Sequence, residues 1–328
     1  MTNVVESDVI IVGAGPAGMT AALYCGRAML NTIVLERGIS GGELLNTEVI
    51  EDYPGFEHIL GHELAVKFES HAKKFGAKFV QDTVVTLKKL PDTTFEAVTD
   101  SGNLYRAPTA IVTSGGTPIK LNVPGETEYA GKGVSYCAVC DGAFFRGHRI
   151  AVIGGGDAAV EEADFLTRYA EKVYLVHRRD ELRASKILQK RLFENPKIEL
   201  IWNTVVERVE ADAQGLVNSL RLRNVDTHAE STLTVTGMFV FVGFRPNTGI
   251  IEGHVKHDAM GYLETDMNME TSIKGLFAAG DVRVQLTRQV TTAAGDGTTA
   301  AIAAEKYLAA RRSGNLEPEI AASGGYAV

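Results

Sequence analysis

The chain has 328 residues, a hydrophobic fraction of 45% and a charged fraction of 23%, which is typical of a globular protein with about two domains. Its formal net charge of -8 argues against a nucleic-acid partner, because a phosphate-binding surface needs a basic excess. Residues 1–8 lack the pattern of a signal peptide, and the longest apolar run, 238–244, is too short to span a bilayer. We therefore predict a cytoplasmic protein that does not enter a membrane.

A nucleotide-binding pattern opens the chain. Residues 8–12 form a β-branched, continuously apolar run, which predicts a strand buried on both faces. The run enters the turn Gly13-Ala14-Gly15-Pro16-Ala17-Gly18 and a predicted helix over 17–28, and a second strand, 32–35, ends at Glu36, 23 residues after the first glycine. In this context the glycines let the backbone approach a pyrophosphate at a helix N-terminus, and Glu36 accepts hydrogen bonds from an adenosine ribose. The alternative is a glycine turn in an ordinary α/β core.

The same pattern recurs in the second half of the chain. A predicted strand over 149–153 leads into Gly154-Gly155-Gly156-Asp157-Ala158-Ala159, a helix to about residue 169 and a strand over 172–176. The position equivalent to Glu36 is His177, and three arginines follow it: Arg178, Arg179 and Arg183. Guanidinium groups bind a 2′-phosphate that an acid would repel, so we predict NADPH here and an adenosine with a free 2′-hydroxyl in the first site. The alternative is a solvated charge pair at a strand end.

A late segment predicts that the first nucleotide is FAD. Residues 275–281 indicate a short strand that ends in Gly280-Asp281, before an Ala-rich helix over 292–310. A carboxylate there can hold a ribityl hydroxyl, and the helix N-terminus can stabilise negative charge on a reduced flavin. Because this segment follows the NADPH unit, we expect a discontinuous FAD domain, 1–117 and 247–310, around an NADPH domain, 118–246, with a tail over 311–328. The predicted fold class is α/β, with two Rossmann-like dinucleotide-binding domains of the three-layer ββα type.

Two of the three cysteines form the motif Cys137-Ala138-Val139-Cys140-Asp141 at the start of the second unit. A zinc site needs about four ligands, and no second Cys/His pair lies nearby in the sequence, so we predict no metal. Two thiols at this spacing can close a small reversible ring, and Asp141 can manage a proton during exchange. The alternative is a coincidental pair. The remaining thiol, Cys25, is predicted to pack in a core.

Together these motifs resemble those of low-molecular-weight, bacterial-type, NADPH-dependent thioredoxin reductases, from about residue 8 to about residue 310. The matching segments, in the family's order, are GAGPAG, GGELLNTEVIEDYPG, CAVCDG, GGGDAAVEEA, HRRDELRA, FAAGDV and RQVTTAAGDG. The resemblance implies a homodimer in which a domain rotation brings NADPH and the cysteine pair to the flavin in turn. It implies that electrons pass from NADPH to FAD, then to the Cys137/Cys140 pair, and finally to thioredoxin disulfide.

The resemblance also implies roles for individual residues. Cys140 faces the flavin, Cys137 attacks thioredoxin, and Asp141 shuttles the proton. The three arginines hold the 2′-phosphate. The FAD-binding residues that the resemblance adds are Arg37, Gly42, Glu43, Leu44, Asn46, Asp52, Gly115, Arg288, Gln289 and Val290. The NADPH-binding residues that it adds are Ala158, Ala159 and Glu162.

Departures from the family keep other functions open. Glu43 and Asp52 stand where the family usually has Gln and Asn, and carboxylates beside the flavin disfavour its anionic reduced form. The tail carries Tyr326, which we expect either to have no role or to lie across a flavin face. The alternative enzyme is a ferredoxin-fed disulfide reductase or an oxygen-dependent dithiol oxidase, although such relatives typically lose the second glycine turn and the arginines. A redox-sensing binding protein is a third possibility.

Overall fold

A computed structural model describes residues 4–47 and 49–314 of the chain. Its strands, in chain order, are β1 Val4–Glu6, β2 Val9–Val12, β3 Thr32–Glu36, β4 Val49–Ile50, β5 Ile59–Leu60, β6 Lys78–Gln81, β7 Val84–Lys89, β8 Phe95–Thr99, β9 Leu104–Ala107, β10 Thr109–Val112, β11 Gly116–Pro118, β12 Val134–Ser135, β13 Arg149–Gly154, β14 Lys172–Val176, β15 Ile198–Ile201, β16 Thr204–Ala211, β17 Val217–Asn224, β18 Glu230–Thr234, β19 Gly237–Phe241, β20 Phe244–Pro246 and β21 Leu276–Ala278. Its α-helices are α1 Pro16–Arg27, α2 Gly61–Lys74, α3 Ala138–Asp141, α4 Asp157–Leu166, α5 Lys186–Glu194 and α6 Val290–Arg312. Three 3-10 helices complete the described elements: Gly42–Asn46, Gly142–Phe145 and Gly280–Val282.

The chain divides into two units. Unit 1 contains the residues up to Gly116 and those from Arg245 onward, and unit 2 is Thr117–Phe244. The chain passes between the units at β11 and β20, which pair as a two-stranded sheet. Within the described ranges, no helix is long and apolar enough to cross a membrane. The predicted tail, 311–328, overlaps the end of α6, which continues to Arg312, and its part beyond Gly314, with Tyr326, lies outside the described residues. The assignment of FAD and NADPH domains stays a prediction.

Unit 1 is built on a five-stranded parallel sheet with the strand order β21-β10-β2-β3-β6. Successive side chains of β2 point to opposite faces of this sheet. Ile11 belongs to a core that includes Met19 of α1, whereas Ile10 belongs to a second core that includes Phe95 of β8. The sheet β1-β9-β8-β7 therefore covers one face and the helices cover the other, which explains why β2 is apolar without interruption.

Unit 2 repeats this arrangement with a parallel sheet in the order β12-β19-β13-β14-β15. Val152 of β13 packs in a core with Val160 of α4, and Ile153 packs in another core with Leu220 of β17. The antiparallel sheet β16-β17-β18 forms the third layer. In both units the strand before the glycine turn is central and the strand that follows the helix lies beside it. The predicted α/β class with two three-layer units is confirmed.

The predicted helices are present, with shifts at their ends. α4 stops at Leu166, before the predicted end near residue 169, because the next N–H groups bond to carbonyls three residues back, as in the 3.1 Å bond from Thr167 N to Asp164 O. α6 begins at Val290, two residues earlier than predicted. Gln289 and Thr292 exchange side-chain and backbone hydrogen bonds there, which satisfies the first turn of the helix.

Candidate functional site

The first glycine turn joins β2 to α1 and leaves room for a ligand. A Cβ at Gly18 would lie 2.6 Å from Thr113 Oγ1 and 3.0 Å from the Gly13 carbonyl carbon, so the close approach here requires glycine. Beside Gly15, in contrast, a Cβ would meet no protein atom within 4 Å. Gly15 is the N-cap of α1, and no side chain caps this end. The first N–H groups of α1 therefore have open space for an anion.

Glu36 ends β3 and is joined to the glycine turn by its carboxylate. Ala14 N donates to Oε2 at 2.7 Å, and Gly38 N donates to Oε1 at 3.1 Å. An ionised carboxylate has about four lone-pair sites, so acceptor capacity remains for the hydroxyls of a ribose. The neighbouring Arg37 is exposed. Glu36 thus stabilises the turn and is still able to act as the predicted ribose acceptor.

Two further predicted segments border this turn. The 3-10 helix Gly42–Asn46 lies against it, since a Cβ at Gly42 would come 3.2 Å from Gly15 Cα. Leu44 of this helix is buried in the core of unit 1. Gly115 follows β10, which is the neighbour of β2 in the sheet, so it lies at the same edge as the turn.

The charge of Asp281 depends on other predicted FAD residues. Burial raises the pKa of the Asp281 carboxyl to about 6; Arg288 opposes this shift, whereas Glu43 and Asp296 add to it. The structure therefore brings Glu43 and Arg288 close enough to Asp281 for their charges to change its pKa. Arg288 also stacks on Tyr262, with 4.2 Å between its guanidinium carbon and the ring centroid.

Glu43 and Asp52 are the two carboxylates that depart from the family pattern, and they differ in their surroundings. Glu43 is exposed, yet desolvation by the adjoining protein atoms raises the pKa of its carboxyl. A hydrogen bond from Asn46, 3.2 Å long, and the charge of Arg37 oppose this shift. Asp52 is exposed in the segment after β4. Of these two carboxylates, Glu43 is the one whose charge raises the pKa of Asp281.

The second glycine turn joins β13 to α4 in the manner of the first. Gly154 has a φ of 155°, and a Cβ there would lie 3.2 Å from the carbonyl carbon of Phe241. Gly156, the N-cap of α4, has no protein atom within 4 Å of its Cβ position. Asp157 accepts a 2.6 Å hydrogen bond from Ser185 N through Oδ1. The other predicted residues of α4 are exposed Ala158 and buried Ala159 and Glu162.

His177 follows β14 and occupies the position of Glu36. Its imidazole fills the space where a side chain on Gly155 would lie. Arg183 N donates to Gly155 O at 2.8 Å, which folds the arginine segment back onto the glycine turn. Burial lowers the pKa of His177, backbone hydrogen bonds oppose this, and the charges of Arg179 and Arg183 lower it further. The guanidinium groups of Arg178, Arg179 and Arg183 are exposed.

The cysteine pair is a disulfide at the beginning of α3. Cys137 and Cys140 have Cα atoms 5.3 Å apart, and Cys140 N donates to Cys137 Sγ at 3.2 Å. Cys140 is exposed and Cys137 is half-buried. Ser135 Oγ donates to Asp141 Oδ2 at 2.6 Å and accepts from Cys137 N at 3.1 Å. One hydroxyl therefore connects the Asp141 carboxylate to the backbone of Cys137.

The third cysteine has the properties of a packed side chain. Cys25 lies in α1 with 0% of its surface exposed. Burial raises the pKa of its thiol to about 12, with a smaller opposing effect of Thr32. Because the thiolate is the reactive form, this sulfur is unsuited to exchange.

Sequence reasoning missed several residues that support the site, because their partners are distant in sequence or lie in loops. Ser135 gives no signal beyond its nearness to Cys137. Asp296 accepts hydrogen bonds from Gly280 N and from Arg283 Nη1, both at 3.1 Å. The available signal for Asp296 was an acidic residue among the Ala, Gly and Thr residues in the first half of α6.

Comparisons with known proteins agree with this geometry. The family model described as pyridine nucleotide-disulphide oxidoreductase matches residues 7–297. The chain is 47% identical over 301 residues to thioredoxin reductase of Bacillus subtilis, covering 92% of this chain and 94% of that protein. Among solved structures, thioredoxin reductase of Lactococcus lactis has a TM-score of 0.90 and 42% identity, covering 92% of this chain and 99% of that one. The T. acidophilum enzyme has a TM-score of 0.87 and 33% identity, with 92% and 98% covered. The chain therefore belongs to the pyridine nucleotide-disulphide oxidoreductase family and, within it, to the bacterial-type thioredoxin reductases.

Proposed function

We propose that the chain is an NADPH-dependent thioredoxin-disulfide reductase with bound FAD. The observation that carries this proposal is the Cys137–Cys140 disulfide, with exposed Cys140 and the fixed carboxylate of Asp141 beside it. This pair lies in a chain with two separate dinucleotide turns. A nicotinamide nucleotide, a flavin and a reversible disulfide are the three components of an electron path to a protein disulfide.

Unit 1 has the features that FAD requires. The open space beside Gly15 and the uncapped first turn of α1 suit the pyrophosphate, and Glu36 suits the ribose. We propose that Asp281 accepts a ribityl hydroxyl. When bound, FAD would supply the two-electron link between a nicotinamide hydride and a disulfide, because the side chains of this protein do not accept a hydride. The other residues that we propose to contact FAD are Gly13, Pro16, Ala17, Gly18, Arg37, Gly42, Glu43, Leu44, Asn46, Asp52, Gly115, Gly280, Arg288, Gln289 and Val290.

Unit 2 has the features that NADPH requires. The space beside Gly156 and the first turn of α4 suit a pyrophosphate, and no acid stands at His177 to repel a 2′-phosphate. The exposed guanidinium groups of Arg178, Arg179 and Arg183 supply the charge for that phosphate. When bound, NADPH supplies a hydride. The other residues that we propose to contact NADPH are Gly154, Asp157, Ala158, Ala159 and Glu162.

The chain's own residues perform the thiol chemistry. A thiolate of the reduced pair attacks a sulfur of the thioredoxin disulfide, a mixed disulfide forms, and the second thiol of the pair breaks it. We assign the attack to Cys137 and the resolving step to Cys140. Asp141 carries the proton that leaves one thiol and reaches the departing thiolate. Ser135 keeps the carboxylate beside Cys137 by its 2.6 Å hydrogen bond.

We also propose that the enzyme acts as a homodimer in the cytoplasm. The support for the dimer is the resemblance of the sequence to its family. The support for the compartment is the cysteine content, since two cysteines form the redox pair and the third is buried, as suits a reducing environment. Sedimentation of the FAD-loaded protein tests the dimer; a monomer at micromolar concentration contradicts it.

The carboxylates of Glu43 and Asp281 favour a second candidate function, a disulfide reductase in which another reductant replaces NADPH. Desolvation raises the pKa values of both Glu43 and Asp281, so negative charge is already disfavoured there. Added negative charge on the flavin would be resisted for the same reason. An anaerobic absorbance trace separates the candidates: rapid bleaching by NADPH supports the first, and bleaching only by ferredoxin or dithionite supports the second.

Cysteine variants test the proposed path. Cys137→Ser and Cys140→Ser should each abolish the reduction of thioredoxin disulfide, while NADPH still bleaches the flavin at the wild-type rate. Cys25→Ala is the matched control, because it removes the one thiol that is buried away from the pair, and it should keep both activities. Turnover of thioredoxin by Cys137→Ser at the wild-type rate would remove the pair from the mechanism.

A further inference from the structure

A buried carboxylate lies close in sequence to the redox pair without belonging to either nucleotide site. Glu126, in the segment between β11 and β12, has 0% of its surface exposed. It accepts hydrogen bonds from Leu121 N at 2.8 Å, from Asn122 N at 2.6 Å and from the hydroxyl of Tyr136 at 2.8 Å. None of these three donors carries a charge. A buried carboxylate depends on such donors, so each of them is held firmly in place.

Tyr136 transmits this constraint to the cysteine pair, because it is the residue before Cys137. Its ring packs against the core that includes Val134, Val206 and Val209. Burial and then the neighbouring carboxylate of Glu126 raise the pKa of Tyr136 well above its usual value, so the hydroxyl keeps its proton and remains a donor.

The backbone of Cys137 is held on both sides. On one side Ser135 Oγ accepts from Cys137 N at 3.1 Å, and Tyr136 is held by Glu126. On the other side Ala138 is fully buried. Neither the Tyr136–Glu126 bond nor the Ser135–Cys137 N bond involves a sulfur atom, so both remain possible in the dithiol form.

We infer that Glu126 and Tyr136 are positioning residues of the redox pair: their hydrogen bond holds the Cys137 backbone where its sulfur reaches Cys140, and so stabilises the disulfide against reduction. The inference deepens the proposed function and rests on Cys137 and Cys140 being its redox pair. The physical reason is effective concentration. A disulfide forms more readily when its two thiols are already held together. Loss of the Tyr136–Glu126 hydrogen bond adds more conformational entropy to the open dithiol than to the closed ring, and it therefore favours the dithiol.

The relevant equilibrium is the exchange of the pair with dithiothreitol. One S–S bond of the protein breaks and one S–S bond forms in oxidised dithiothreitol, and two electrons and two protons pass from the reagent to the two cysteines. Tyr136→Phe removes only the hydroxyl and keeps the ring. We expect it to shift this equilibrium about three- to tenfold toward the dithiol, which corresponds to about 15–30 mV for a two-electron couple.

The experiment uses the full-length, FAD-loaded protein in dithiothreitol buffers of stepped ratio, with alkylation and mass counting of the Cys137 and Cys140 thiols. Tyr174→Phe is the matched control, since Tyr174 packs against the same core of unit 2, and its variant should match the wild type. Far-ultraviolet circular dichroism and flavin content establish that the variants are folded. A shift below twofold, or a shift toward the disulfide, would overturn the inference and leave the proposed function intact. A wild-type pair that does not exchange with dithiothreitol would overturn both.

A double-mutant cycle identifies the partner of Tyr136. Glu126→Gln keeps the size of the side chain, but its neutral carbonyl accepts hydrogen bonds more weakly than a carboxylate does. We expect Glu126→Gln alone to shift the equilibrium toward the dithiol, and Tyr136→Phe to add less in that background than in the wild type. Equal shifts of Tyr136→Phe in both backgrounds would show that Tyr136 does not act through Glu126.

Discussion

The arginines after His177 allow the nucleotide assignment of unit 2 to be tested on a quantitative scale. The perturbation is the double substitution Arg178→Ala/Arg179→Ala, which removes two exposed guanidinium groups near the second glycine turn. The glycine turn itself is left unchanged, because the hydrogen bonds that Gly155 O accepts from Arg183 N and Ala184 N do not involve the substituted side chains. The substitution therefore tests charge and not the shape of the turn.

The expected effect follows from the strength of charge-assisted hydrogen bonds. Each such contact to a phosphate contributes about 1.5–3 kcal/mol, and exposure to solvent and salt places these two at the lower end. Losing both costs about 3 kcal/mol, and since about 1.4 kcal/mol is a factor of ten, the KM for NADPH should rise about 100-fold. NADH has no 2′-phosphate, so its KM should stay within about twofold.

The assay is the rate of flavin bleaching under nitrogen, followed against the concentration of NADPH and of NADH at fixed low ionic strength. The control is Arg146→Ala/Arg149→Ala, which removes the same charge from exposed arginines of unit 2 at the opposite end of β13. This control should change neither KM. Equal losses with NADPH and NADH, or an unchanged KM for NADPH, would refute the assignment of the arginines to the phosphate.

Three other variants test different parts of the site. Gly15→Val should retain the fold but lose FAD on purification, because its side chain meets no protein atom within 4 Å of Cβ and occupies the space given to the pyrophosphate; full flavin content contradicts this. Asp281→Asn should stabilise the flavin-free protein much more at pH 8 than at pH 4. The pKa of this carboxyl is raised from 3.8 to about 6 in the folded state, so ionisation opposes folding increasingly between these two pH values and fully above the second. Thermal unfolding at the two pH values measures this, and an equal gain at both values contradicts it. Ser135→Ala should slow thioredoxin reduction about three- to tenfold without altering flavin bleaching by NADPH, since it removes one hydrogen bond to the Asp141 carboxylate; slower bleaching would indicate a general structural role instead.

The repeated architecture could be predicted because its signals are local. Each unit places a continuously apolar strand, a glycine turn, a helix and a second strand within about 30 residues, and each step has its own sequence pattern. The limits of β14, Lys172–Val176, match the prediction, because charged Glu171 precedes the strand and His177 ends its run of apolar and aromatic residues. Helix ends were less accurate, because the cap that begins α6 and the tight turn that ends α4 depend on individual hydrogen bonds.

The supporting contacts of the redox pair could not be predicted for a different reason. Most of the segment that contains Glu126, Ser135 and Tyr136 has neither helical nor strand periodicity. The conformation of this loop determines which hydrogen-bond partners these residues have. The pattern around Cys137 indicates redox chemistry but does not show that a hydroxyl joins Asp141 to the backbone. The membership of the chain in its family, inferred from the motifs, is confirmed, whereas the individual nucleotide contacts stay predictions.

Whether electrons from NADPH reach a protein disulfide through Cys137 and Cys140 can be followed in one stepwise measurement. The FAD-loaded protein is mixed with excess NADPH under nitrogen, then with a known amount of thioredoxin disulfide, and the thiols of the pair are alkylated and counted by mass before and after each addition. We expect NADPH to convert the pair from disulfide to dithiol, and thioredoxin disulfide to return it to disulfide with one thioredoxin reduced for each pair oxidised. A pair that stays a disulfide while NADPH bleaches the flavin, or a reduced pair that leaves thioredoxin disulfide unchanged, would show that electrons do not take this path.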